Sequence, residues 1–313
     1  SNIRRTIYIR HINKILRATE DRHRIQLPIL KLAGGETMRK YFRAVREQTA
    51  HLLLSNGAMV TFALLLALVF LSFAENVNEF RGYDIVSMYH PMKMLLLSYN
   101  RTFYNATFAL LMIQLFPLVI CLPSGLSLVS EQRNGETILA VSRLGPRTYI
   151  WSKLTAAFIT NFVVFTVPFL IEIVLNCLSF PLDAIGDFSN TSTYSKEFQG
   201  MVDSYSLSGL YAVSPYLYAV VCTLGFGVFA GMLAVVTIAI STVIKVKYSV
   251  TLILPAFLFL EATVYLGLGT GWYNYIMIFN EEHGPAYGAF IFLLLAVVFT
   301  VFGAECFSRK DTL

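Results

Sequence analysis

The chain has 313 residues, of which 56% are hydrophobic and only 14% charged. A soluble domain carries about 25% charged residues, so this composition leaves too little polar material to cover a water-facing surface. The formal net charge is +5, but no basic run is interleaved with exposed aromatics in a polar domain; the excess reads as a membrane-surface bias and is no evidence for nucleic acid, and no nucleic-acid partner is expected.

The first fifty residues hold two basic amphipathic stretches. In the first, Ile3, Ile7, Ile12, Ile15 and Leu16 alternate with Arg4, Arg5, Arg10, Lys14 and Arg17, before Pro28 and the Gly34-Gly35 pair interrupt. In the second, from Glu36 onward, Met38, Tyr41, Phe42 and Val45 lie on one face of a helix and Arg39, Lys40, Arg43 and Arg46 on the other. An apolar stripe bordered by Lys and Arg suits a helix lying in the headgroup layer; a solvated helix packed on a partner protein is the alternative. No apolar core precedes residue 52, so no cleavable signal peptide is expected.

From residue 51 to residue 313 the chain reads as one transmembrane domain. Six stretches reach the roughly 20 apolar residues that cross about 30 Å of hydrocarbon. They cover about 52–74, 107–129, 152–180, 216–240, 248–268 and 286–307. None shows the apolar–polar alternation of a barrel strand, which leaves helices as the spanning structure. The expected fold is an all-α membrane protein: amphipathic interfacial helices followed by six transmembrane helices.

Orientation follows from the basic residues. Twelve Lys and Arg precede the first span, four lie between 130 and 153, and Lys245, Lys247, Arg309 and Lys310 complete twenty on one side. The other side has Arg81, Lys93, Arg101 and Lys196. Twenty against four predicts that both termini are cytoplasmic, in a plasma membrane expected to be bacterial. The four cysteines, Cys121, Cys177, Cys222 and Cys306, fall in or at the ends of spans and read as small packing residues.

The loop between the second and third spans carries the clearest functional signal. Asn134 is a candidate N-cap and Glu136 sits in the first turn, where the helix dipole favours an acid. Ile138, Leu139, Val141 and Leu144 supply apolar surface, and Gly145-Pro146 ends the helix. A helix of about ten residues is marginal alone in water, so it is expected to dock on something; a plain surface helix between two spans is the alternative.

Glu131, then Gly135-Glu136, then Pro146-Arg147 and Lys153 together resemble the loop of exporter-type (type-2) ABC permeases. The usual form there is an acid, a basic residue, Gly, Thr-Leu-Glu, then Pro, a small residue, Arg and Lys. Gly-Glu-Thr stands here in place of Gly-Thr-Leu-Glu, so the match is approximate. The layout of a basic interfacial helix and six spans with both ends inside is similar too. The resemblance implies a permease subunit forming half of a translocation pathway, with a second permease subunit, identical or paralogous, supplying the other half. It implies that the loop helix is a coupling helix resting on a cytosolic ATP-binding subunit, through Glu131, Asn134, Gly135, Glu136, Ile138, Leu139, Arg143, Leu144 and Arg147. The chain has no G-x-x-x-x-G-K-S/T phosphate cradle, so no cofactor is expected on it and ATP and Mg belong to the partner ATPase.

Three acids fall within spans: Glu172, Glu261 and Glu305. A carboxylate at the bilayer centre costs about 2.5–3.5 kcal/mol on insertion scales, so Glu172 and Glu261 are expected to face protein or water. They are candidate pathway-lining residues for a cationic or amphipathic substrate, or acids hydrogen-bonded between helices. Glu305, near Arg309 and Lys310, is expected to pair or snorkel. Gly227 and Gly231 form a G-x-x-x-G that allows close helix approach, within a subunit or between two.

Other classes find less support. A membrane-embedded enzyme would need a catalytic motif, and neither G-x-S-x-G nor H-E-x-x-H occurs; the five histidines all lie outside the predicted spans. The chain is therefore expected to be a non-enzymatic membrane subunit. An ATP-independent channel or carrier, and a permease-like anchor for a signalling ATPase, are the competing functions.

Overall fold

The computed structural model describes residues 38–82, 91–98, 106–182, 208–243 and 286–309. The described residues are helical, without β-strands. A first helix, α1, covers 38–53. It is followed by α2 (Asn56–Glu79), a single 3-10 turn (Pro91–Met94), α3 (Ala106–Val119), α4 (Ser127–Arg133), α5 (Glu136–Leu144), α6 (Pro146–Ser179), α7 (Ser208–Val213), α8 (Pro215–Val243) and α9 (Ala286–Ser308). Helices α2, α6 and α8 are long and apolar enough to cross a membrane. At 1.5 Å per residue, α6 with its 34 residues is roughly 51 Å long and exceeds the hydrocarbon thickness. Large apolar side chains stand exposed along these helices, including Met59, Val60, Phe70 and Leu71 on α2 and Val297, Val298 and Phe302 on α9. A water-soluble monomer rarely exposes apolar surface so continuously; the chain has the make-up of an integral membrane protein.

Helix α1 docks on the bundle through a helical stripe. Ala44, Val45 and Leu52 are buried, and the Tyr41 hydroxyl shares a 2.7 Å hydrogen bond with Thr155 of α6. Met38 and Phe42 are exposed, together with Arg39, Lys40, Arg43 and Arg46. Tyr41 and Val45, expected on one apolar face with Met38 and Phe42, thus turn inward while the other two turn out. Ser55 separates α1 from α2: it has extended backbone, and its side chain accepts from the Ala58 N–H as the N-cap of α2.

The stretch expected to span continuously over 107–129 is interrupted. Helix α3 stops at Val119, residues 120–126 form a turn, and α4 begins at Ser127. Pro123 has no N–H to continue a helix. Gly125 lies close to the Cys121 carbonyl, and a Cβ there would meet that oxygen at 2.9 Å. Backbone groups freed at such a break need partners inside the protein. Asn161 of α6, fully buried, supplies one: its Nδ2 donates to the Ile120 carbonyl at 2.9 Å, while its Oδ1 accepts from the side-chain hydroxyl of Ser124 at 2.9 Å. Gly57 of α2 packs directly on the turn, where a Cβ would come within 2.2 Å of the Leu122 carbonyl oxygen.

Helices α6 and α8 form the centre of the bundle. The G-x-x-x-G acts within the subunit: a Cβ on Gly231 would meet the Phe158 ring at 2.7 Å, and one on Gly227 would meet Thr166 Oγ1 at 1.9 Å. Helix α9 lies equally close to α8 at Gly303, where a Cβ would come within 2.8 Å of the Ala239 backbone. Thr242 there donates to the Gly303 carbonyl at 2.9 Å. Phe116 from α3, Phe165 and Phe169 from α6 and Phe226 from α8 form an aromatic cluster with ring centroids 5.3–6.0 Å apart. Edge and tilted pairs of this kind contribute about 0.5–1.5 kcal/mol each beyond their burial. The expected span over 248–268, with Glu261, and the first amphipathic stretch lie outside the described residues.

Candidate functional site

The loop singled out in the sequence folds as two short helices, α4 and α5, bracketed by glycines. Gly135 (φ +76°) and Gly145 (φ +80°) both adopt left-handed backbone, which side-chain-bearing residues rarely tolerate. The first turns the chain from α4 into α5. The second ends α5, and Pro146 opens α6 immediately after it, in the first helical position that suits a residue without an N–H. The expected stop at Gly145-Pro146 is therefore present. The expected cap is not: Asn134 closes α4, its backbone N–H bonding the Ser130 carbonyl at 3.0 Å, and Gly135 is the residue that precedes α5. The local reason is geometric, because α4 runs to Arg133 and leaves Asn134 in helical backbone, not the extended backbone of an N-cap.

Helix α5 has two faces. Thr137 and Val141, one turn apart, are buried against Leu128, Tyr149, Ile150, Leu154 and the α8–α9 pair, and Leu144 packs partly on the same cluster. The opposite face presents Ile138 at 53% and Leu139 at 64% exposure, with Glu136 and Arg143 also exposed. Glu136 lies in the first turn and Arg143 in the last, so both charges complement the helix dipole. The arrangement is an apolar patch on a rigidly seated helix, flanked by one acid and one base.

An internal charge cluster seats it. The Glu131 carboxylate of α4 accepts from Lys153 Nζ and, at 2.6 Å, from the Tyr149 hydroxyl. Lys153 is almost completely buried, a position a lysine occupies only when paired. Two members of the sequence motif, Glu131 and Lys153, are thus each other's partners and fasten α4 to α6. Tyr149 went unnoticed in the sequence; the available signal was a lysine at the start of an apolar span, which demands an acceptor. Arg147 turns away from α5 and pairs with Glu305 of α9 at 2.7 Å, and Arg309 approaches the same carboxylate at 3.8 Å. Glu305 is therefore paired, as expected, and Arg147 ties the base of the loop to the last helix.

Glu172 lies elsewhere. Along α6 it stands 19 residues beyond Lys153, or roughly 28 Å toward the other end of the bundle. It is buried, and its Oε1 accepts the Leu96 N–H at 2.6 Å. Among the described residues no group of three His, Cys, Asp or Glu side chains is placed to hold a metal ion. No family model, no curated protein and no solved structure matches the chain.

Proposed function

We propose that this chain is the permease subunit of an ATP-driven ABC exporter, with six spans and both termini in the cytoplasm. In this reading it forms half of a translocation pathway with a second permease subunit, and α5 is the element that a cytosolic ATPase pushes. The observation that supports the reading is the exposed Ile138–Leu139 patch on a helix whose other face is locked to the bundle. A coupling element must offer apolar surface to a partner and transmit its displacement, and the Glu131–Lys153–Tyr149 cluster fastens the helices on either side of α5, α4 and α6, to each other. ATP and Mg reside on the partner. Helix α1, with Phe42 and four basic side chains exposed, would lie against lipid headgroups on the same side.

The test is co-purification of the ATPase with the chain, together with its hydrolysis rate in reconstituted membranes. Glu136→Lys opposes the dipole by about 0.3–1 kcal/mol, and Leu139→Asp puts a charge where the partner's apolar groove would be. The Glu136→Lys, Leu139→Asp double variant should insert and elute as wild type yet lose the ATPase. Leu144 is unsuited to this test, because it packs on the protein's own core. Wild-type capture and hydrolysis in the double variant would remove α5 as the coupling element.

A further inference from the structure

Within the connection between α2 and α3, residues 91–98 do not lie on a surface. Met92, Met94, Leu95, Leu96, Leu97 and Ser98 are all at most 3% exposed. Loops ordinarily run over the outside of a protein, because buried irregular backbone leaves polar groups without partners. Here two side chains from neighbouring helices meet those groups. Glu172 of α6 accepts the Leu96 N–H at 2.6 Å, and Asn76 of α2 donates to the Met94 carbonyl at 3.0 Å. The apolar side chains of the segment join the core shared by α2, α3, α6 and α8. A second polar group stands nearby on α6. Asn176, one turn beyond Glu172, is fully buried, and among the described residues neither its Nδ2 nor its Oδ1 has a hydrogen-bond partner. A buried amide costs about 1–3 kcal/mol wherever it goes unbonded, so its place in the core calls for a reason.

We infer that residues 91–98 form a movable strap closing the end of the bundle remote from α5, held by Glu172 and Asn76, with Asn176 as a second rung one turn farther out. Residues 172 and 176 lie on the same face of α6, about 6 Å apart along its axis. A one-turn shift of the strap exchanges one polar partner for the other, and such one-turn steps are an established form of two-state movement. In the closed position Glu172 Oε1 holds the Leu96 N–H and Asn176 waits; in the open position the strap withdraws toward the ends of α2 and α6. Under the proposed function this is the outer gate of the pathway.

The experiment is thiol accessibility. In a chain whose four native cysteines are replaced by alanine, a single cysteine is placed at Leu97 and its reaction with a membrane-impermeant maleimide is timed in proteoliposomes, against a control cysteine at Glu79. Glu172→Leu and Asn76→Leu each remove one hold and should speed labelling about three- to tenfold, the population shift that loss of one hydrogen bond gives. Glu172→Gln keeps an acceptor and should label like the parent. Asn176→Leu removes the second rung and should slow labelling by a similar factor. Unchanged rates in both Glu172→Leu and Asn76→Leu would overturn the latch. A rate in Asn176→Leu that is unchanged or faster would overturn the second rung, and that variant adds apolar surface to the core, so it stays informative even if Glu172→Leu fails to fold. The readout needs neither nucleotide nor ATPase, so its failure leaves the proposed function standing, and loss of ATPase coupling leaves the strap untouched.

Discussion

Breaking the Glu131–Lys153 pair tests how the α4–α5 unit is fastened to the membrane bundle. Lys153 is 1% exposed and Glu131 16%, so neither charge can rely on bulk water if its partner is removed. Glu131→Leu strands the lysine in the interior and should cost about 3–5 kcal/mol, the range for removing one member of a buried pair. Lys153→Met is milder, about 1–3 kcal/mol, because Glu131 keeps the Tyr149 hydroxyl at 2.6 Å and some solvent. The Glu131→Leu, Lys153→Met double variant replaces the pair by apolar groups and should fall within about 1 kcal/mol of wild type. The singles are therefore strongly non-additive, with a coupling energy of at least about 3 kcal/mol. The assay is reversible unfolding of the purified protein in mixed micelles with SDS as denaturant, run on all four members of the cycle. A penalty below about 1 kcal/mol for Glu131→Leu, or singles that add to the double within about 0.5 kcal/mol, would mean that the cluster does not anchor the loop.

Two further outcomes are expected. Gly57→Ala should destabilise by about 1–3 kcal/mol, because its Cβ would sit 2.2 Å from the Leu122 carbonyl oxygen and either α2 or the 120–126 turn must give way; Gly225→Ala, with nothing within 4 Å, should be neutral or stabilising in the same unfolding assay, and equal stability of the two variants would contradict the close approach. Single cysteines at Asn134 and at Glu79, in the cysteine-free chain, should be respectively protected from and labelled by an impermeant thiol reagent in intact cells, and the opposite pattern would invert the proposed orientation.

Helical membrane character was legible in the residues themselves, because hydrocarbon tolerates few alternatives to a long apolar helix. The stretches expected at 52–74, 152–180, 216–240 and 286–307 each correspond to a helix; the last two agree to within three residues, while the first two start four and six residues from the expected positions. Those ends depend on Ser55 and Pro146, whose capping roles outrank hydropathy. The stop at Gly145-Pro146 was legible for the same reason: it is a local rule of backbone geometry. The break at 120–126 was not. A proline such as Pro123 is common enough in membrane helices that by itself it does not announce a break, and whether a proline bends or ends a helix depends on what meets the freed backbone. That partner is Asn161, some forty residues away.

The same division holds for the site residues. Composition and the lengths of the apolar stretches are properties of the chain alone, and they sufficed for the helical membrane character; the spacing of Glu131, Gly135-Glu136, Pro146-Arg147 and Lys153 marked the loop between them. Which face of α5 is buried, that Glu131 and Lys153 bond each other, that Arg147 turns to Glu305, and that Glu172 holds the 91–98 segment are long-range pairings. They were decided only when the helices came together, because a buried polar group is stable only with its particular partner, and periodicity along one helix carries no record of who that partner is.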